Sequence, residues 1–163
     1  SHKPASALKT IPLVWPFAVW GLDMVGPLRT GRSGFTHVQV AVDKFTKWIE
    51  AKPIKNLEAS TVVSFIKELI CRYGVSHNII TDKGSNFDSD EFGAFWASQG
   101  TRVDYASVAH HQSNGQAERA NGLILKGLKP RLMCDLKNAA GAWVDELPSV
   151  LWGLRTTPNR STG

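Results

Sequence analysis

The chain is poor in cysteine and contains no long apolar run. Its 163 residues include two cysteines, Cys71 and Cys134, and both lie in helix-like stretches among apolar neighbours. We predict two small buried thiols in a reducing compartment. No apolar run approaches the roughly 18 residues that a membrane span needs, and the first residues, SHKPASALK, lack a secretory signal pattern. We therefore expect an intracellular protein without a membrane partner.

Repeats, low-complexity segments and a strong charge imbalance are also missing. Hydrophobic residues make up 42% of the chain and charged residues 20%, which is an ordinary globular balance. The length favours one domain with a substantial core. The net charge of +5 suits a polyanionic partner, but many proteins without one share it. We expect an irregular segment over residues 1–15, one domain over 16–158 and a truncated tail over 159–163.

The apolar pattern predicts an α/β domain with a mixed sheet. Strands are expected over residues 17–24, in THVQVAVDKF and in KWIEAKPI, joined as an antiparallel meander. The clean alternation of THVQVAVDKF, with Val38, Val40 and Val42 on one face, is typical of a half-buried strand.

Helices and short strands are expected to alternate in the rest of the chain. A helix capped by Asn56 and ended by Gly74 precedes the strand HNIIT, and a second helix ending at Gly100 precedes the strand TRVDYA. Pro130 should end or kink the next helix, and Pro148 should start the second member of a final helical pair.

Three carboxylates occupy positions that would suit a metal site. Asp23 ends the apolar run FAVWGLD, Asp82 ends NIITD, and Glu118 lies early in the predicted helix NGQAERANGLI. Residues 83–117 separate the last two acids. Strands that end in Asp, followed by a helix carrying Glu, can bring three oxygen donors together, as Mg²⁺ requires. Taken singly, Asp82 also fits an ordinary turn and Glu118 a helix dipole.

The segments around these acids resemble the catalytic core of retroviral and LTR-retrotransposon integrases, most closely the gypsy type. They are WGLDMVGPL around Asp23, ITDKGSNF around Asp82 and HQSNGQAERAN around Glu118. The interval between the second and third acids is also the one that this family shows. The likeness extends from about Pro16 to Pro158.

This resemblance implies a ribonuclease-H-like fold, a five-stranded mixed sheet flanked by helices. It also implies that Asp23, Asp82 and Glu118 are the catalytic residues and bind two Mg²⁺ or Mn²⁺ ions. The expected reactions are 3′-end processing of element DNA and strand transfer into target DNA, at a nuclear point of action. The chain is also expected to form a homodimer or higher assembly. The parent protein is expected to supply an amino-terminal zinc module and a carboxy-terminal DNA-binding module. The apolar helices near Cys71 and Trp143 are candidates for the dimer interface, with simple core packing as the alternative.

Several polar residues around the acids are candidate DNA contacts. The resemblance assigns Gln112, Asn114 and Asn121 to the active site or to DNA, and Lys126, Lys129 and Asn86 are further candidates for phosphate contact. For Asn86 the alternative is an Asx-turn, and for the others it is a solvated surface position. His111 stands where the family often has Pro, which puts the conformation of loop 107–113 in question. The pair His110–His111 lacks the companion Cys or His spacing of a zinc site.

Two other residue classes are predicted to be structural. Asp43, a fourth acid close to the predicted centre of the sheet, belongs to no triad position. The tryptophans are assigned to the core rather than to base stacking, on strands at Trp20 and Trp48 and on helices at Trp96, Trp143 and Trp152.

Two alternatives to an integrase remain from the sequence. The domain is either a domesticated, non-catalytic DNA- or protein-binding or dimerisation module, or a related nuclease that only hydrolyses. Fold resemblance alone does not separate transfer from hydrolysis, although the SNGQAE-type motif favours transfer.

Overall fold

A computed structural model of the chain describes residues 15–81, 90–105 and 127–157. Within these ranges the strands are β1 (Val19–Val25), β2 (His37–Asp43), β3 (Ile49–Ile54), β4 (Asn78–Thr81) and β5 (Arg102–Tyr105). The helices are α1 (Ala59–Tyr73), α2 (Asp90–Ser98), α3 (described over residues 127–138) and α4 (Trp143–Thr156).

The five strands form one mixed sheet in the order β3-β2-β1-β4-β5. β2 runs antiparallel to both of its neighbours, β1 and β3, which confirms the predicted meander. β4 and β5 run parallel to β1 because α1 and α2 return the chain to the same end of the sheet. Leu22 pairs with Thr81 across β1 and β4, and Asp23 pairs with Val40 across β1 and β2.

Helices cover both faces of this sheet. One core joins Trp20, Leu22 and Ile79 to the apolar faces of α1 and α2. The other joins alternate residues of β1 and β2 to α3 and α4; its strand members include Val25, Val38, Val40 and Val42, and its helix members include Leu132, Leu136, Trp143, Leu147 and Leu151. Since successive strand residues point to opposite faces, the alternation in β2 correctly indicated a strand.

The prediction that β2 is half-buried was wrong. Its residues from Val38 to Asp43 are all buried, including Gln39 and Asp43 on the face that carries the polar positions. The face toward α1 and α2 is covered like the other, so polar residues there must find partners inside the protein.

Three predicted helix boundaries also differ. Asn56 is not the cap of α1; Glu58 occupies that position. The side-chain Oδ1 of Asn56 accepts a hydrogen bond from the Thr61 hydroxyl at 2.5 Å. Pro130 does not end its helix, since residues 127–138 are all helical, and whether it kinks the helix stays a prediction. Pro148 lies inside the continuous helix α4. A proline removes one helical hydrogen bond, and here the buried leucine-rich faces of both helices outweigh that loss. Gly74 does end α1, with a φ of 90°.

α4 is fastened to β3 through Arg155. Its Nε and Nη2 donate hydrogen bonds to the carbonyl of Ile49 at 2.9 and 2.5 Å. Nη2 lies 3.3 Å from the Glu50 carboxylate, and the guanidinium stacks 4.1 Å from the centroid of the Trp48 ring. Glu50, itself buried, also binds Arg72 at 3.2 Å and accepts a hydrogen bond from the Tyr73 hydroxyl.

Several predictions of burial were wrong. Both cysteines are exposed and free, because each lies two residues from a buried leucine, about 200° around its helix. Trp20, Trp96 and Trp143 are core residues as predicted, but Trp48 and Trp152 are exposed, Trp152 by 69%. Trp143 itself packs in the core, and the use of its helix as a dimer interface stays a prediction. Among the described helices, none is long and apolar enough to span a membrane.

Candidate metal centre

Asp23 projects from the middle of the sheet toward α3 and α4. It lies in β1, the strand flanked by both β2 and β4. Its neighbours Leu22 and Val25 are buried, whereas the Asp23 side chain keeps 17% of its surface exposed. The strand alternation places Trp20 and Leu22 on the opposite face. The sequence therefore puts a carboxylate at the border between the core and the surface.

Hydrogen bonds hold Asp23 on both sides. Its Oδ1 accepts from the backbone N–H of Met24 at 2.7 Å, and its carbonyl accepts from Nε2 of Gln39 at 2.9 Å. Gln39 is fully buried, so this bond forms in a medium where it is stronger than in water. Sequence reasoning assigned no role to Gln39, although a polar residue inside a buried alternating strand is the signal that would have identified it.

Lys129 contacts the remaining oxygen of Asp23. Its Nζ lies 3.1 Å from Oδ2, and the lysine side chain is 42% exposed. Beneath this pair is a small pocket lined by Asp23, Lys129 and apolar residues of the sheet and α3, namely Val25, Val40, Ile49, Leu128 and Leu132. The structure thus brings together two residues predicted for different roles, a metal ligand and a DNA contact.

The other predicted site residues lie outside the described ranges. They are Asp82, Glu118, Gln112, Asn114, Asn121, Lys126 and Asn86, together with His110 and His111. Within residues 15–81, 90–105 and 127–157, no group of three His, Cys, Asp or Glu side chains is placed to hold a metal ion. The triad as a whole therefore stays a prediction.

Asp23 itself fits the role of one ligand. A carboxylate oxygen is the donor that Mg²⁺ and Mn²⁺ prefer. The only contact to Oδ2 found among the described residues is the ammonium of Lys129, and an ammonium on a flexible stem can move away. The rest of the Asp23 peptide is held by Met24 and Gln39, so this oxygen is presented in a defined position.

Asp43 makes contacts of a different kind. It is fully buried, and its Oδ1 accepts from the N–H of Phe17 at 3.0 Å. Its Oδ2 accepts from the N–H and the hydroxyl of Thr46 at 2.8 and 2.6 Å. These donors occupy both oxygens, which supports the predicted structural role.

The comparisons with known proteins show the family. The sequence model of the integrase core domain matches residues 15–111, which is more than half of the chain. The chain belongs to the integrase core domain family. The matched range contains Asp23 and Asp82 and ends before Glu118.

Similar proteins are retroviral polyproteins. The chain is 29% identical over 149 residues to the Pro-Pol polyprotein of Simian foamy virus type 3 (strain LK3), covering 91% of the chain and 12% of the polyprotein. It is 30% identical over 144 residues to the Gag-Pol polyprotein of Feline leukemia virus, covering 88% and 8%. The chain thus spans about a tenth of the length of these relatives.

A solved structure agrees with the fold. The catalytic core domain of BIV integrase superposes with a TM-score of 0.60 at 22% identity, covering 90% of this chain and 89% of that one. This likeness confirms the predicted ribonuclease-H-like sheet with flanking helices.

Proposed function

We propose that this chain is the catalytic core of a retrotransposon integrase, in which Asp23, Asp82 and Glu118 hold two divalent cations. The cations, Mg²⁺ or Mn²⁺, would stabilise the attacking and leaving oxygens of an in-line phosphoryl transfer. The reactions are 3′-end processing of element DNA, with water as the nucleophile, and strand transfer into target DNA, with the processed 3′-hydroxyl as the nucleophile. Further partners are a second copy of the chain and the parent protein's terminal modules. The reactions take place in the nucleus.

The observation that carries this proposal is the register of β1 and β4. The two strands are parallel, and Leu22 pairs with Thr81. These are the residues that immediately precede Asp23 and Asp82 in the sequence. The chain therefore leaves β4 beside Asp23, and an acid at the next position is well placed to share an ion with it. The family match covers both acids.

A strand-transfer and disintegration assay with Mg²⁺ or Mn²⁺ tests the proposal, in the parent protein as well as in this chain. Asp23→Asn, Asp82→Asn and Glu118→Gln should each lower the rate by about 100-fold or more, because even outer-shell partners of metal ligands are worth about 10- to 100-fold. Asp145→Asn is the matched control. Asp145 lies on α4 and forms an ion pair with Arg32 in which both side chains are exposed.

The outcomes separate the alternatives. Cutting without joining would favour a hydrolytic nuclease. A parent protein that neither binds Mn²⁺ nor processes branched DNA would favour a domesticated binding module. A loss of activity in Asp145→Asn equal to that in Asp23→Asn would refute the assignment of the site.

A further inference from the structure

Asp23 and Lys129 form an ion pair where a cation is expected to bind. The lysine Nζ is 3.1 Å from Oδ2, the oxygen that carries no other hydrogen bond among the described residues. Oδ1 is occupied by the N–H of Met24, which can stay in place when an ion binds. Lys129 therefore contacts the one oxygen that a metal would use first.

The surroundings strengthen this pair. The pocket beneath it is lined by Val25, Val40 and residues of α3, and Asp23 is mostly buried. An apolar wall lowers the local dielectric constant, so the attraction between the charges is larger than between two fully exposed side chains. The ammonium also stabilises the carboxylate against the cost of its partial burial.

From this contact we propose that Lys129 is an internal counter-ion, which a divalent cation must displace from Asp23 in order to bind. The inference rests on the proposed function, because it takes Asp23 as a metal ligand. A divalent cation at Oδ2 and an ammonium at contact distance from the same oxygen would repel each other, so the two compete for this position. Lys129 would thus lower the affinity for the metal, and metal binding would free its ammonium from the carboxylate.

The test is a Mn²⁺ titration of the whole chain without DNA. The concentration of free Mn²⁺ is measured from its electron paramagnetic resonance signal. Lys129→Met should bind Mn²⁺ about five-fold more tightly than the unmodified chain, which corresponds to the upper end of the range measured for solvent-exposed ion pairs. Lys129→Gln should give the same increase, which covers the case that Met disturbs folding. Lys129→Arg keeps the charge and should stay within about two-fold of the unmodified chain.

The matched control is Lys137→Met. Lys137 is exposed on the same helix, about 12 Å further along its axis, beyond the screening length at physiological salt. The Mn²⁺ affinity of Lys137→Met should differ from that of the unmodified chain by less than about two-fold. Equal affinities of Lys129→Met and Lys137→Met would overturn the counter-ion proposal. A normal affinity in Asp23→Asn would instead overturn the proposed function, so the two failures are distinguishable.

Discussion

Replacing Asp43 tests whether a buried acid near the sheet centre is structural or belongs to the metal site. Its carboxylate accepts three hydrogen bonds, one from Phe17 and two from Thr46, and its carbonyl accepts one from Lys47. Phe17 and Lys47 both have positive φ angles, 64° and 67°, so this residue holds two strained backbone positions in place.

The magnitude follows from these contacts. A hydrogen bond to a charged group is worth about 1.5–3 kcal/mol, but Thr46 is exposed and its donors can bind water instead. We expect Asp43→Ala to lower the free energy of unfolding by about 3 kcal/mol. Asp43→Asn should lower it by about 1–2 kcal/mol, since Asn keeps one acceptor oxygen. For a domain of this size, 3 kcal/mol lowers Tm by roughly 6–12 °C.

Differential scanning calorimetry measures the stability, and a Mn²⁺ titration below Tm measures the site. The structural role predicts a lower Tm with unchanged Mn²⁺ affinity for both variants. An unchanged Tm in Asp43→Ala would refute the reasoning from hydrogen bonds. Lost Mn²⁺ binding in folded Asp43→Asn would place this acid in the metal centre.

Three further predictions concern stability, each measured by denaturant unfolding. Arg155→Ala should lower the free energy of unfolding by about 2–4 kcal/mol, because it removes two hydrogen bonds to a β3 carbonyl and leaves buried Glu50 with fewer partners. An unchanged denaturant midpoint would contradict this. Gly31→Ala should cost about 1–3 kcal/mol, because the new Cβ would lie 2.7 Å from a side-chain atom of α4, whereas Gly153→Ala meets nothing within 4 Å and should be neutral or stabilising. Burial, followed by the hydrogen bond to Glu50, raises the pKa of Tyr73 above its usual value near 10. The neutral phenol is therefore favoured in the folded state. The stability that it contributes is complete below pH 10 and is lost as the pH rises through the higher folded pKa. In Tyr73→Phe the free energy of unfolding should decrease less over this pH range.

The order and type of the elements could be predicted because the apolar pattern is strong in β1, β2 and α1. What the pattern misjudged was the competition between local and tertiary effects. Pro148 has the local signature of a helix start, yet α4 passes through it, because the buried face on both sides of it favours one helix. Trp152 was predicted to lie in the core, yet its ring is exposed, because it is one residue from Leu151 and two from Leu154 and therefore lies on a different face of α4.

The candidate site was only partly accessible to sequence reasoning. Asp23 stood out because an acid inside an apolar strand needs a reason. Its contact with Lys129 joins residues 106 positions apart, and no local pattern encodes such a pair. The same holds for Gln39, whose hydrogen bond to Asp23 depends on the register of β1 and β2. Sequence motifs identified the residue types, whereas pairing of the strands decides which of them meet.

The anchoring of α4 on β3 also bears on self-association. β3 is an outer strand of the sheet, and such a strand offers unpaired backbone groups that can template aggregation. Arg155 occupies the carbonyl of Ile49, Pro53 has no N–H to offer, and Lys52 places a charge on the strand, paired with Glu68 at 2.7 Å. The edge is therefore a poor acceptor for a foreign strand, and this chain should resist fibril-like growth from that side.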